Sequence, residues 1–320
     1  MASTTTKDPS LLDLHGKVVL LTGGNTGVGY GTIQILARQG AKIYMASRDA
    51  TKAQAAIKKL ESEGLGEGSV QFLELDLADL RGVSRVAKQF AEREERLDIL
   101  VNNAAISAGP FRITEDGFLD IVATNHVGPF ILTDALLPLL KRTAADPNSD
   151  VRIVNLSSVL HSNVKPTTFA TKDSLNKDYG PSIMRQMDTY GSSKLMNILH
   201  AKALQTRLDA ESANITCLAV HPGTIATGGS SRVVGLFPVV GGLFKHVLVP
   251  LLFGAWSTGG KAVAFAAATK AVKGPQHNEY KGAYLMPVGK ITAPSESAVD
   301  VRLQTELYET TERAVRELGL

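Results

Sequence analysis

Seven short apolar runs alternate with longer amphipathic stretches along this chain, and that alternation narrows its fold more than any other feature. The runs are 17–22 (KVVLLT), 42–46 (KIYMA), 70–75 (VQFLEL), 97–101 (LDILV), 151–156 (VRIVNL), 214–220 (NITCLAV) and 282–286 (GAYLM). Rich in valine, isoleucine and leucine, they read as parallel strands joined by crossover helices. Helices are expected near 27–39, 51–62, 79–95, 116–142, 188–209, 257–272 and 300–317, several opening after Ser, Thr or Asp, as capping requires. The fold expected is α/β: a Rossmann-type, doubly wound parallel sheet of seven strands with helices on both faces. It forms a single domain over 1–320, with 1–14 as an N-terminal extension. Two stretches break the rhythm, an insertion at 159–187 and a candidate substrate lid at 228–256. Both fall on the side where strands end, which is where such sheets bind ligands.

Composition removes several classes of function. A chain of 320 residues with 44% hydrophobic and 20% charged residues and a net charge of +3 is an ordinary globular protein. No basic run points to nucleic acid. The one cysteine, Cys217, sits in the apolar run ITCLAV, so it forms no intrachain disulfide and suits a reducing compartment. The first ten residues, MASTTTKDPS, contain no apolar core of a secretory signal, and the last six, VRELGL, match no common address; a cytoplasmic location is expected. Residues 233–253 approach the length of a membrane span but carry Gly, Pro, Lys245 and His246. A broken amphipathic lid is the better reading; no transmembrane span is expected, and peripheral membrane contact stays open.

The first expected strand runs into TGGNTGVG, residues 22–29, and then into an amphipathic helix. Gly23, Gly27 and Gly29 in that place, with Asn25, Thr26 and Val28 between them, allow a tight turn whose amides approach a pyrophosphate. The second strand ends on Ser47 and Arg48, with no acidic side chain to accept bonds from a free ribose 2′-hydroxyl. A guanidinium there favours a 2′-phosphate, so the cofactor expected is NADP(H) rather than NAD. Asp76 and Leu77 after the third strand could line an adenine, and Asn103 and Ala104 follow the fourth strand in NNAA. Singly, such strand-end residues are turn formers; their repetition at successive strand ends is what points to a ligand.

Tyr190 and Lys194, in YGSSK, stand four apart on an expected helix, so their polar tips can share one small volume. Tyr30, Tyr179 and Tyr280 have Gln34, Ile183 and Tyr284 at the same offset, not lysine. No metal is expected, since no histidine pair shows zinc-ligand spacing, and no GxSxG elbow marks a hydrolase.

The order of these motifs resembles the short-chain dehydrogenases/reductases of the TGxxxGxG and YxxxK type, from Lys17 to about Met286. NNAA is similar to that family's NNAG element, TNHVGPF to the segment with its catalytic asparagine, IVNLSS to its serine strand, and HPGTIAT to its nicotinamide loop. The ASR ending of the second strand and the long spacer before Tyr190 resemble the retinol dehydrogenase and protochlorophyllide reductase branch and related fungal reductases. The resemblance implies Asn125, Ser158, Tyr190 and Lys194 as a catalytic tetrad. Ser158 rather than Ser157 matches, three residues after Asn155. It also implies that Pro222, Gly223, Ile225 and Thr227 hold the nicotinamide. Ala105 departs from the family's glycine. In this reading Tyr190 delivers the proton, the positive charges of Lys194 and the oxidised nicotinamide pull the phenol toward neutrality, Ser158 holds the substrate oxygen, and Asn125 fixes a water that replenishes the proton. His126 is left structural.

The lid's Leu, Val, Phe and Gly suggest a small hydrophobic carbonyl or alcohol as substrate. The expected activity is therefore NADPH-dependent reduction of a ketone or aldehyde, reversible as alcohol oxidation. An epimerase or dehydratase that retains its cofactor, and a catalytically silent NADP-binding regulator, are the alternatives. Helices 116–142 and 188–209 are expected as a surface for a homo-oligomer, unless the protein is a monomer.

Overall fold

A computed structural model describes residues 7–107, 111–223 and 256–320. Its sheet has the order β3-β2-β1-β4-β5-β6-β7-β8. The strands are β1 (Val18–Thr22), β2 (Lys42–Ser47), β3 (Ser69–Glu74), β4 (Ile99–Asn102), β5 (Val151–Leu156), β6 (Ile215–Val220), β7 (Tyr284–Met286) and β8 (Lys290–Ile291). All seven expected strands are present and parallel, and β7 turns back into β8 as an antiparallel eighth. Two residues, Lys290 and Ile291, are too few to show a strand pattern in a sequence.

Alternation along the strands divides the core in two. Val19, Leu21, Ile43, Met45, Val101 and Val154 pack under α1 (Gly27–Arg38), α2 (Ala50–Glu63) and α8 (Trp256–Ala268). Leu20, Tyr44, Leu100, Ile153 and the buried, free Cys217 pack on the other face. That face is covered by α3 (Leu80–Arg93), α5 (Gly128–Ala144), α7 (Ile183–Ala210) and α11 (Val301–Glu317), with the short α4 (Asp120–Val122), α6 (Lys172–Leu175) and α10 (Glu296–Val299) between them, while Tyr280 of the short α9 (His277–Tyr280) packs in the first core. Both faces are buried, so β1, β5 and β6 carry no exposed residue.

Two helices depart from expectation near the site. The stretch 116–142 is α4, a π-turn over Ala123–Val127, and α5. Pro129 has no N–H to give the Asn125 carbonyl four residues back, and the widened turn lies immediately before it. α7 begins at Ile183, capped by the Ser182 hydroxyl, which accepts the Arg185 N–H at 3.4 Å. Tyr190 therefore lies two turns inside the helix, held by neighbours on both sides.

Two anchors fix the far ends of these elements. Arg152 on β5, 0% exposed, pairs with Asp150 through Nε at 2.7 Å and Nη2 at 2.6 Å. The same guanidinium donates to the carbonyls of Ala266 (3.1 Å), in the last turn of α8, and of Thr269 (2.8 Å), the residue after that helix. The described part of the N-terminal extension is packed down: Leu11 and Leu14 are buried, and the Leu12 N–H reaches the Ala268 carbonyl at 2.7 Å. Tyr308 of α11 lies 5.2 Å from Phe130 of α5 and under the guanidinium of Arg207 of α7, at 3.9 Å. Among the described residues no helix is long and apolar enough to cross a membrane, and 233–253 lies outside them.

Candidate active site

β1 sends its chain toward β2 and β4 sends its chain toward β5, so a crevice opens between β1 and β4 beyond their carboxyl ends. It is a cavity of about 610 Å³. Gly23, Asn25, Thr26, Gly27, Val28, Gly29, Ser47, Arg48, Asp76, Leu77, Asn103, Ala104, Ser158, Tyr190, Lys194, Pro222 and Gly223 all line it. Asn125 stands behind the wall, 1% exposed. Ile225, Thr227 and lid residues 228–255 lie outside the described residues.

At one end the site is made of backbone. The loop after β1 turns into α1, and a Cβ on Gly29 would stand 2.7 Å from the Asn103 amide nitrogen. Asn103 donates that amide to the carbonyls of Thr22 (2.7 Å) and Gly23 (3.0 Å). The Thr22 hydroxyl in turn accepts the N–H groups of Asn103 (3.0 Å) and Ala104 (3.1 Å). Both donors of the Asn103 side chain are spent on the loop, so it braces the cradle instead of offering those hydrogens to a ligand.

Arg48 is exposed at the rim and forms no ion pair with any described residue. Lys52, one turn into α2, also lines the cavity and is paired with Asp49 at 2.6 Å, while Asp49 caps α2 by accepting the Lys52 N–H at 3.0 Å. Sequence reasoning missed Lys52, although its place four residues after Arg48 is the available signal. Asp76 is exposed and accepts the Ala78 N–H at 3.0 Å, which leaves its second oxygen free of the turn. Leu75, Ile106 and Thr124 line the wall without any motif of their own. Ala105 is exposed on the cavity wall.

The other end is made of buried side chains. Ser158, two residues past β5 and 9% exposed, lines the cavity together with Tyr190. The Lys194 ammonium is 2% exposed, donates to the Leu156 carbonyl at 3.2 Å, and lies 5.5 Å from the centroid of the Tyr190 ring. Asn125 gives its amide hydrogens to the Ile106 carbonyl (2.9 Å) and Ser193 Oγ (3.0 Å) and accepts the Ile106 N–H (2.9 Å). It thus ties the π-turn to the NNAA segment and to α7 next to Lys194.

Burial governs the protons here. Loss of water pushes the Tyr190 phenol up to about 12, against the Ser158 hydrogen bond that favours the anion. Desolvation holds Lys194 down to about 7. The pull of Lys194 and an oxidised nicotinamide on the phenol is expected of the nucleotide-bound protein, whereas these directions belong to the protein alone. In the protein by itself, with one carbonyl as its partner, the ammonium is too poorly solvated to supply that field.

Two neighbouring histidines are neutral. His221 is lowered to about 4 by burial and by His161, and buried His126, lowered to about 3, donates Nε2–H to Thr311 Oγ at 2.9 Å. Among the described residues no cluster of three or more His, Cys, Asp or Glu could hold a metal.

The short chain dehydrogenase family profile matches residues 17–170. A short-chain dehydrogenase/reductase of Armillaria gallica is 39% identical over 309 residues, covering 96% of this chain and 95% of the relative. The chloroplastic short-chain dehydrogenase TIC 32 A of Brassica napus is 33% identical over 327 residues, covering 99% and 94%. A crystal structure of a protein from Mycobacterium paratuberculosis superposes with a TM-score of 0.71 at 28% identity, covering 97% of each chain. The chain belongs to the short-chain dehydrogenase/reductase family, near plant and fungal members of it. Because one relative is chloroplastic, family membership does not fix a compartment.

Proposed function

We propose that this protein reduces a small hydrophobic ketone or aldehyde with NADPH, and oxidises the corresponding alcohol in reverse. The convergence of Ser158, Tyr190 and Lys194 on one end of a cavity whose other end is a backbone cradle carries this reading. The cavity suits a dinucleotide: its volume is about 610 Å³, the glycine loop lines it, and Arg48 stands unpaired where a ribose phosphate would lie. A bound nicotinamide supplies the hydride.

The chain's own residues do the rest. Ser158 Oγ donates to the carbonyl oxygen and holds it against the phenol. With its pKa raised to about 12, Tyr190 is protonated at neutral pH and ready to donate, which suits the reductive direction. Lys194, which lines the cavity, would hold the ribose hydroxyls of a bound nucleotide, and those partners would help solvate its charge beside the phenol. Asn125, bonded to Ile106 and Ser193, holds the π-turn beside Lys194 and so shapes any route for proton return. Pro222 and Gly223 line the cavity and would hold the nicotinamide, a role that the family resemblance extends to Ile225 and Thr227. Ile106 on the wall and Val159, 40% exposed beside Ser158, favour an apolar substrate.

The test is loss of NADPH absorbance over a panel of apolar ketones, aldehydes and quinones. Turnover with NADPH well above that with NADH is expected. Absence of turnover across the panel, with NADPH bound, would return the protein to the regulator class.

A further inference from the structure

His161 does not itself line the cavity, yet it holds a residue that does. Ser158 caps the 3-10 turn Val159–Asn163, its hydroxyl accepting the Leu160 N–H at 3.3 Å. The Ser158 carbonyl accepts two hydrogen bonds, both from His161: the backbone N–H at 3.1 Å and ring Nδ1 at 2.7 Å. The other ring nitrogen, Nε2, faces the backbone N–H of Ser295 at 3.0 Å. A backbone N–H can only donate, so Nε2 is the bare nitrogen and Nδ1 carries the proton. The surroundings dictate the tautomer.

The ring is locked from a third side by Tyr284 of β7, at 5.0 Å and an interplanar angle of 67°. It is 4% exposed, and burial lowers its pKa below the ordinary 6.5, which keeps it neutral. The same turn presses on α7 at the residue after Tyr190. A Cβ on Gly191 would collide with the Leu160 carbonyl oxygen, so the turn and the tyrosine helix meet backbone to backbone.

We infer that His161 is the positioning residue that sets Ser158 against Tyr190, acting as its Nδ1–H tautomer and coupling the substrate-oxygen site to the segment that enters α10. The role rests on the reductase reading. His161 exchanges no proton with substrate; it fixes the Ser158 carbonyl, and with it the direction of the hydroxyl.

Two measurements test this separately. In ¹⁵N-histidine NMR of the full chain, the resonance that disappears in His161→Asn is expected to report a neutral ring protonated on Nδ1. A ring protonated on Nε2 would overturn the clamp whether or not the enzyme is active. In steady-state kinetics, His161→Leu is expected to lower kcat about 10²-fold, the cost of a small misplacement. The KM for NADPH stays within about twofold, because the cradle is untouched. His161→Asn retains an N–H near the Nδ1 position and is expected to recover most of the loss. Equal losses in the two variants, or a rise in the KM for NADPH as large as the fall in kcat, would reject the positioning role. A wild-type chain that reduces no carbonyl counts against the reductase reading, and the tautomer then decides the clamp on its own.

Discussion

The two ends of the cavity are built from different material. Under β1–β3 the wall is a glycine loop, braced by Thr22 and Asn103, with Arg48 and Asp76 standing in solvent. Under β5 and α7 it is Ser158 and Lys194, almost wholly withdrawn from water, with Tyr190 between them. The first end can bind a charged ligand at little cost, because its charges are solvated before the ligand arrives. The second pays a desolvation cost and in return controls where protons sit.

Removing the phenol tests the buried end most severely. Tyr190→Phe is expected to lower kcat for carbonyl reduction about 10³-fold, with cofactor binding kept within a few-fold. Single-turnover rates and a nucleotide titration separate the two effects. Near-wild-type turnover would mean that protons come from elsewhere.

The next largest effect is on stability. Lys194 falls from an ordinary 10.5 to about 7 on folding, so between those values the unfolded chain binds more protons than the folded one. Stability without nucleotide therefore rises with pH from about 7 upward, and the gain is lost as pH falls back through 7. The size is on the order of 3 kcal/mol by about pH 9.5. Above the ordinary tyrosine value of 10.0 the raised Tyr190 begins to oppose it, because its phenol resists ionising in the fold. Denaturant titrations across this range should show the rise in wild type and a flatter profile in Lys194→Met.

The smallest effect belongs to the exposed end. Arg48→Ala is expected to raise the KM for NADPH about 30-fold, about 2 kcal/mol, and that for NADH less than about twofold. Binding of NADPH to wild type should also weaken with added salt more steeply than binding of NADH. Equal responses to both nucleotides would remove Arg48 from cofactor choice.

The same contrast explains what a reader of the sequence can see. The glycine loop, Ser47–Arg48 and Asp76–Leu77 are local signals: a strand, a turn and a residue type in a fixed place. Tyr190 and Lys194 are one helical turn apart, and Ser158 is recognisable three residues after Asn155. The clamp around Ser158 is not local. Ser295 lies 134 residues beyond His161, and nothing in HSN or APSES announces that they meet. The π-turn escapes a reading by period, because 116–142 is apolar enough to pass for one helix and only the backbone shows the widened turn. Lys52 was hidden by its ordinary place on an amphipathic helix, and Arg152 by its place inside an apolar strand.

The last helix changes how the remaining apolar surface is used. Leu303, Leu307 and Tyr308 of α11 join α5 and α7 in one core, on the two helices that the sequence offers for self-association. For two copies to meet through those inner faces, α11 would have to leave first. The contact between α11 and those inner faces is made within one chain, so its contribution to stability does not depend on protein concentration.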